Sequence, residues 1–359
     1  MLRKYVFDAH CDTANRLLDC GYEFEKNNGH LDVGKIKVGE IRAQIFALWV
    51  NPLLDRYGYF RRGMDLYKTL QHRIFLPGHG KLVTSVAEME LVMSHEEFAC
   101  WLFLEGGHVL ENSIPKLRQW YNLGVRGLTL THRVHTDWAD SSGEPARWDG
   151  LNKRGREIVA EMENIGMVID VSHASDATVN DVLELVSTPI MASHSNARAL
   201  CDIARNLPDN LIVEIAGRQG FIGVTFFPGF LDKMVYDQIL SNFEHFRQRF
   251  EDMISGYEDD PQRIFQAEER LSREVIKRVE AVSLDRVMDH IVHIVDVGGI
   301  DCVGLGSDFD GIPVTPVGLS DVSCFPGLMQ GLLDQGFSYK DVQKIMGENL
   351  KDFLIKFDH

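Results

Sequence analysis

The chain has 359 residues, 45% hydrophobic and 25% charged, a composition and length that can bury a sizeable core. Its 37 Lys and Arg stand against 53 Asp and Glu, and the formal charge of −16 argues against nucleic acid or an anionic membrane surface as a partner. No apolar stretch approaches the roughly 20 residues of a membrane span, and MLRKYVFDAHCDT lacks the apolar core of a signal peptide, so a cytoplasmic protein is expected.

In chain order, short β-type runs recur at YVFDAH (5–10), AQIFALWV (43–50), CWLFLEGG (100–107), VRGLTLTH (125–132), GMVIDVSH (166–173), PIMASH (189–194), FIGVTFF (221–227) and CVGLGSD (302–308). Several are almost continuously apolar, as parallel strands covered on both faces should be. Helical patterns lie between them at 113–124, 153–166, 175–187 and 283–299, with apolar residues at i, i+3, i+4 spacing. Ser175 and Ser283 read as N-caps, and Gly124 and Gly166 as C-terminal stops. Eight strands alternating with helices predict an α/β fold, a (β/α)8 TIM barrel forming one domain over 1–359. About 75 residues separate the seventh and eighth runs, and the segment at about 232–282 is dense in both charge signs. It reads as a solvated helical insertion, with a lid or an oligomer contact as the alternative. The six cysteines (Cys11, Cys20, Cys100, Cys201, Cys302 and Cys324) show no CxxC spacing and are expected to be buried, reduced thiols.

Metal-type residues fall at the ends of these runs. His10 and Asp12 end the first, Glu105 the third, His132 the fourth, His173 the fifth, His194 the sixth and Asp308 the eighth. In a (β/α)8 barrel every strand's C-terminal end opens on one face, where active sites sit. Taken singly each has a bland alternative. An HxD arises by chance, Glu105 before Gly106 and Gly107 could be a strand-end surface group, a strand-end histidine is usually structural, and Asp308 and Asp310 suit turns. Together they offer imidazoles and carboxylates suited to Zn2+. A central carboxylate can bridge two ions about 3.5–4 Å apart, whose shared hydroxide attacks an amide carbonyl, while Asp308 carries a proton to the leaving amine. Signatures of rival chemistries (GxSxG, HExxH, GxGxxG and the P-loop) are missing.

The runs FDAHCDT (7–13), FLEGGH (103–108), LTLTHRVHTDWADS (128–141), VIDVSHAS (168–175), ASHSNAR (192–198), ARNLPD (204–209) and GLGSDFDGIP (304–313) resemble the renal (membrane) dipeptidase family of zinc metallopeptidases over nearly the whole chain. The resemblance implies an amidohydrolase-like barrel with two Zn2+ per subunit. It gives His10 and Asp12 to one ion and His173 and His194 to the other, with Glu105 bridging. It also implies that His132 steadies the oxyanion, Arg205 binds the dipeptide's C-terminal carboxylate, and Asp308 shuttles the proton. His135 and Asp140 read as support for their loop. The expected substrate is a small dipeptide, including L-Xaa-D-Xaa, and a homodimer is left open. Two further readings stand beside this one: a binuclear metal amidohydrolase acting on a non-dipeptide amide, and a non-catalytic barrel.

Overall fold

The computed structural model describes residues 5–257, 260–277 and 279–358, so 258, 259 and 278 of the expected insertion, and the ends of the expected 1–359 domain, lie outside the described residues. The strands are β1 (Val6–Cys11), β2 (Ile41–Trp49), β3 (Lys81–Leu82), β4 (Ala99–Glu105), β5 (Val125–Thr129), β6 (Val168–Asp170), β7 (Met191–Ala192), β8 (Phe221–Val224) and β9 (Val303–Leu305). All pair in parallel in the order β1-β2-β4-β5-β6-β7-β8-β9, and the Cys11–Phe309 bridge brings the two ends of the sheet together. The eight expected runs are thus the eight barrel strands. The two-residue β3, which pairs only with β4, was not foreseen.

Period-two alternation sorts the strand side chains. Phe7, Ala9, Ala43, Ile45, Trp101, Phe103, Val168, Met191 and Phe221 fill the barrel interior, joined by Leu350, Phe353, Leu354 and Phe357 from the C-terminal segment. Their alternating neighbours, such as Val6, Phe46, Leu102 and Leu104, pack toward the helices. The interior register of β4 runs 99, 101, 103 and ends on Glu105, which directs that carboxylate into the mouth. In β1 the pairing advances three residues, Asp8 to Cys11, against two in β2, Gln44 to Phe46. This bulge reverses the alternation: Ala9 faces the interior and Cys11 the helices, so His10 is re-aimed toward the mouth.

The helices begin where their caps dictate. The side chains of Ser113, Asn152 and Ser175 accept from the backbone N–H of Lys116, Gly155 and Thr178, a device worth about 1 kcal/mol each. Ser283 stands at its N-cap but makes no side-chain cap bond. Gly124 and Gly166 take the positive φ expected of helix stops, 96° and 71°. Four thiols are buried as expected, but Cys20 is exposed and Cys324 half-buried; all six are unpaired. Among the described residues no helix is long and apolar enough to cross a membrane.

Candidate metal centre and active site

The strand ends converge on Glu105, which is 3% exposed. Its Oε2 lies 3.6 Å from His10 Nε2, while its Oε1 lies 3.2 Å from His173 Nε2, 3.4 Å from His194 Nε2 and 3.8 Å from His132 Nε2. On the His10 side, Asp12 Oδ2 is 3.3 Å and Asp308 Oδ1 3.9 Å from His10 Nε2. Ligands held tetrahedrally by an ion at 2.0–2.1 Å stand about 3.3 Å apart, the spacing of this donor set. His10 Nε2 and Asp12 Oδ1 are buried without a hydrogen-bond partner, a cost that an ion between them would remove. The residues therefore fit a metal. Donor atoms within 4.8 Å of one another group as His10–Glu105–His194, Glu105–His132–His173 and His10–Asp12–Asp308. His194 stands between the two sides: its ring centroid is 3.9 Å from that of His10, and its Nε2 is 2.8 Å from His173 Nε2.

Electrostatics follow from burying so many carboxylates together. Burial favours neutral His10, but the Glu105, Asp12 and Asp308 charges outweigh it and push the imidazole up to about 10. The site thus calls for positive charge at that point. Burial pushes Glu105 well above the usual carboxylate range, and brings Asp308 up to about 7 with Asp12 beside it, against the pull of His10. Burial, reinforced by neighbouring cationic groups such as Arg205, holds His132, His173 and His194 well below the usual imidazole value.

Arg205 reaches the same mouth from the long connection after β7. Its Nε lies 3.1 Å from His173 Nδ1, while Nη1 donates to Ser195 Oγ (2.8 Å) and Nη2 to the His194 carbonyl (2.6 Å). A guanidinium has five N–H donors, so one remains on each terminal nitrogen. Asp308 and Asp310 both adopt positive φ, 63° and 67°. The Asp310 carboxylate anchors that turn by accepting from Thr13 Oγ1 (2.6 Å) and the His30 N–H (2.7 Å). A Cβ on Gly311 would fall 2.1 Å from Asp12 Oδ2, so only glycine lets the turn pass the site. Asp140 is fully buried and accepts from the backbone N–H of Arg147, Trp148 and Gly150, while His135 Nδ1 accepts from that of Ser141. These two hold their loop, as the sequence implies.

A cavity of about 400 Å3 opens over these residues, lined by Asp12, Glu105, His132, His173, Arg205 and Asp308. Its far wall comes from the insertion, whose alternative reading was a lid. The charged insertion folds into the helices Lys233–Ile254 and Pro261–Ile276, and Phe265, Glu268, Glu269 and Ser272 of the second face the cavity at helical spacing. Glu268 accepts from Asn51 Nδ2 (2.5 Å) and Arg133 Nη2 (2.6 Å), and Glu269 pairs with Arg16 Nη1 (2.5 Å). The segment is therefore not simply solvated. One face is tied across the barrel mouth, and Trp49, Asn15, Arg16 and Arg133 join the lining with it.

The family pattern described as "Membrane dipeptidase (Peptidase family M19)" matches residues 1–353. The chain belongs to the membrane dipeptidase family. It is a metallo-dipeptidase, a hydrolase of dipeptides, and this membership implies a metal cofactor. It is 31% identical over 341 residues to "Dipeptidase aclJ" of Aspergillus oryzae, covering 92% of this chain and 71% of that one. Among solved structures, the probable dipeptidase PvdM from Pseudomonas aeruginosa superposes with a TM-score of 0.85 at 25% identity, covering 99% of this chain and 96% of that one. A metallo peptidase from Rhodobacter sphaeroides, liganded with a phosphinate mimic of the dipeptide L-Ala-D-Ala, shares the fold with a TM-score of 0.78 at 23% identity, covering 98% and 99%.

Proposed function

We propose that this barrel is a dinuclear zinc dipeptidase, with His10 and Asp12 holding one ion, His173 and His194 the other, and Glu105 bridging them. The supporting observation is the divided carboxylate of Glu105, with Oε2 toward His10 and Oε1 toward His173 and His194. When bound, such a pair of ions activates a shared water toward hydroxide and polarises the scissile carbonyl.

The chain's own residues account for the rest. The two spare donors of Arg205 take the C-terminal carboxylate of the dipeptide, a fork that suits a planar anion. His132, 3.8 Å from Glu105 Oε1, donates to the carbonyl oxygen as it gains charge. Asp308 accepts the proton of the attacking water and passes it to the departing amine. The Phe265–Ser272 face of the insertion walls one side of the cavity, which narrows the space open to the substrate.

Because Arg205 fixes orientation through the carboxylate, the C-terminal residue can carry either hand, and we extend the substrate class to L-Xaa-D-Xaa dipeptides. The bound L-Ala-D-Ala mimic of the Rhodobacter sphaeroides protein supports that extension. The unpaired cysteines suit a reducing compartment, and we place the protein in the cytoplasm on that ground. Purified protein assayed on L-L and L-D dipeptides, with and without chelator, tests the proposal: zinc-restored turnover is expected, and chelator-insensitive or absent turnover contradicts it.

A further inference from the structure

Behind the metal-facing histidines lies a fully buried carboxylate that the reaction does not use. Asp170 ends β6, and both of its oxygens are filled by donors. Oδ1 accepts from the N–H of Ser172 (3.0 Å) and of Ser193 (2.9 Å). Oδ2 accepts from Thr129 Oγ1 (2.6 Å) and Ser193 Oγ (2.5 Å). A carboxylate has about four acceptor sites, and here each is taken, which leaves no room for a proton of its own.

This fixes the direction of every bond that follows. The single hydroxyl proton of Ser193 points to Asp170, so the Ser193 oxygen presents lone pairs to its other neighbours. One neighbour is His194 Nδ1, 2.8 Å away, which must therefore donate. A neutral imidazole with its proton on Nδ1 carries a lone pair on Nε2, and that nitrogen lies 3.4 Å from Glu105 Oε1. Ser172 Oγ completes the arrangement by accepting the His194 backbone N–H at 3.0 Å.

We infer that Asp170, acting through Ser193, is a positioning pair that locks His194 into the tautomer able to ligate a metal through Nε2. The inference rests on the reading of His194 as a ligand. Partners of this kind, one bond beyond the ligand, fix ring orientation and raise ligand basicity. The Ser193 backbone is held independently: Cβ atoms on Gly223 and Gly306 would fall 2.0 and 1.9 Å from its carbonyl oxygen, so the backbone at both glycines presses directly on it. Removing the hydroxyl should therefore cost the hydrogen bond and leave the chain path intact.

The test compares wild type with Ser193→Ala in zinc titrations against a chromophoric chelator and in the Co2+ d–d spectrum. One of the two metal equivalents is expected to weaken about 10- to 100-fold, with an altered Co2+ band, while the other is kept. Should Ser193→Ala not fold, Ser193→Cys keeps the volume with a poorer acceptor and is expected to shift in the same direction. Wild-type affinity and spectrum in the variant, or equal weakening of both equivalents, overturns the inference. A wild type that holds one equivalent overturns the dinuclear reading instead, and the effect of Ser193→Ala on that equivalent still decides the role of Ser193.

Discussion

Glu105 turns Oε2 toward His10 at 3.6 Å and Oε1 toward His173 at 3.2 Å, so the two oxygens of one buried carboxylate serve opposite sides of the barrel mouth. Glu105→Gln replaces one of those oxygens with an amide that donates where an ion must bind. The variant is expected to lose at least one zinc equivalent and nearly all turnover. Elemental analysis after dialysis checks it, and two retained equivalents would count against the bridge.

His132 stands near Glu105 Oε1 without being assigned to either ion. His132→Leu is expected to lower kcat by about 10²- to 10³-fold, the usual cost of one oxyanion donor, while zinc content stays at two. Loss of a zinc equivalent would instead make His132 a ligand.

Arg205 separates a dipeptide from a substrate without a free carboxylate. Arg205→Ala is expected to raise KM for dipeptides roughly 10- to 100-fold, the worth of hydrogen bonds to a charged group. Hydrolysis of a dipeptide amide should change little. Equal loss on both substrates would favour the reading as an amidohydrolase of another amide.

The insertion helix is held across the mouth by Glu268 on Asn51 and Arg133. Glu268→Ala is expected to lower kcat/KM about fivefold, near 1 kcal/mol for a partly exposed tie, with zinc content unchanged. Unaltered kinetics would return the segment to the solvated role that its charge pattern suggests.

That segment marks where the sequence was hardest to read. Dense charge of both signs looks like a solvated face, and only the fold reveals that Phe265, Glu268, Glu269 and Ser272 share one side and that the side faces a cavity. The barrel itself was legible because its strands are apolar runs broken by polar ends. His10, Glu105, His173 and His194 were legible because barrel topology sends every strand end to one rim. β6 and β7 are shorter than their apolar runs, three and two residues, because the chain leaves the ladder to present His173 (φ 66°) and His194. Asp170 was invisible: inside VIDVSH it reads as a strand residue, and its partnership with Ser193 exists only between neighbouring strands.

Another buried imidazole, outside the metal-facing set, sets an acid limit on stability. His290 is fully buried, receives the Ala197 N–H on Nδ1 (3.1 Å) and donates from Nε2 to the Leu231 carbonyl (3.1 Å), and burial holds it down to about 4. Its folded value lies below the unfolded value of about 6.5, so the unfolded chain takes up the proton first. The contribution is complete above about pH 6.5 and is lost as pH falls toward 4, roughly 3 kcal/mol in all. Urea unfolding from pH 7 to 4.5 should show this loss in wild type and a shallower one in His290→Gln. Parallel curves would contradict the assignment.

The most direct test of the dinuclear centre is anomalous diffraction at the zinc edge from crystals grown with zinc. Two peaks are expected about 3.5–4 Å apart, on either side of the Glu105 carboxylate, one beside His10 and Asp12 and the other beside His173 and His194. A single peak, or peaks away from Glu105, would contradict the account.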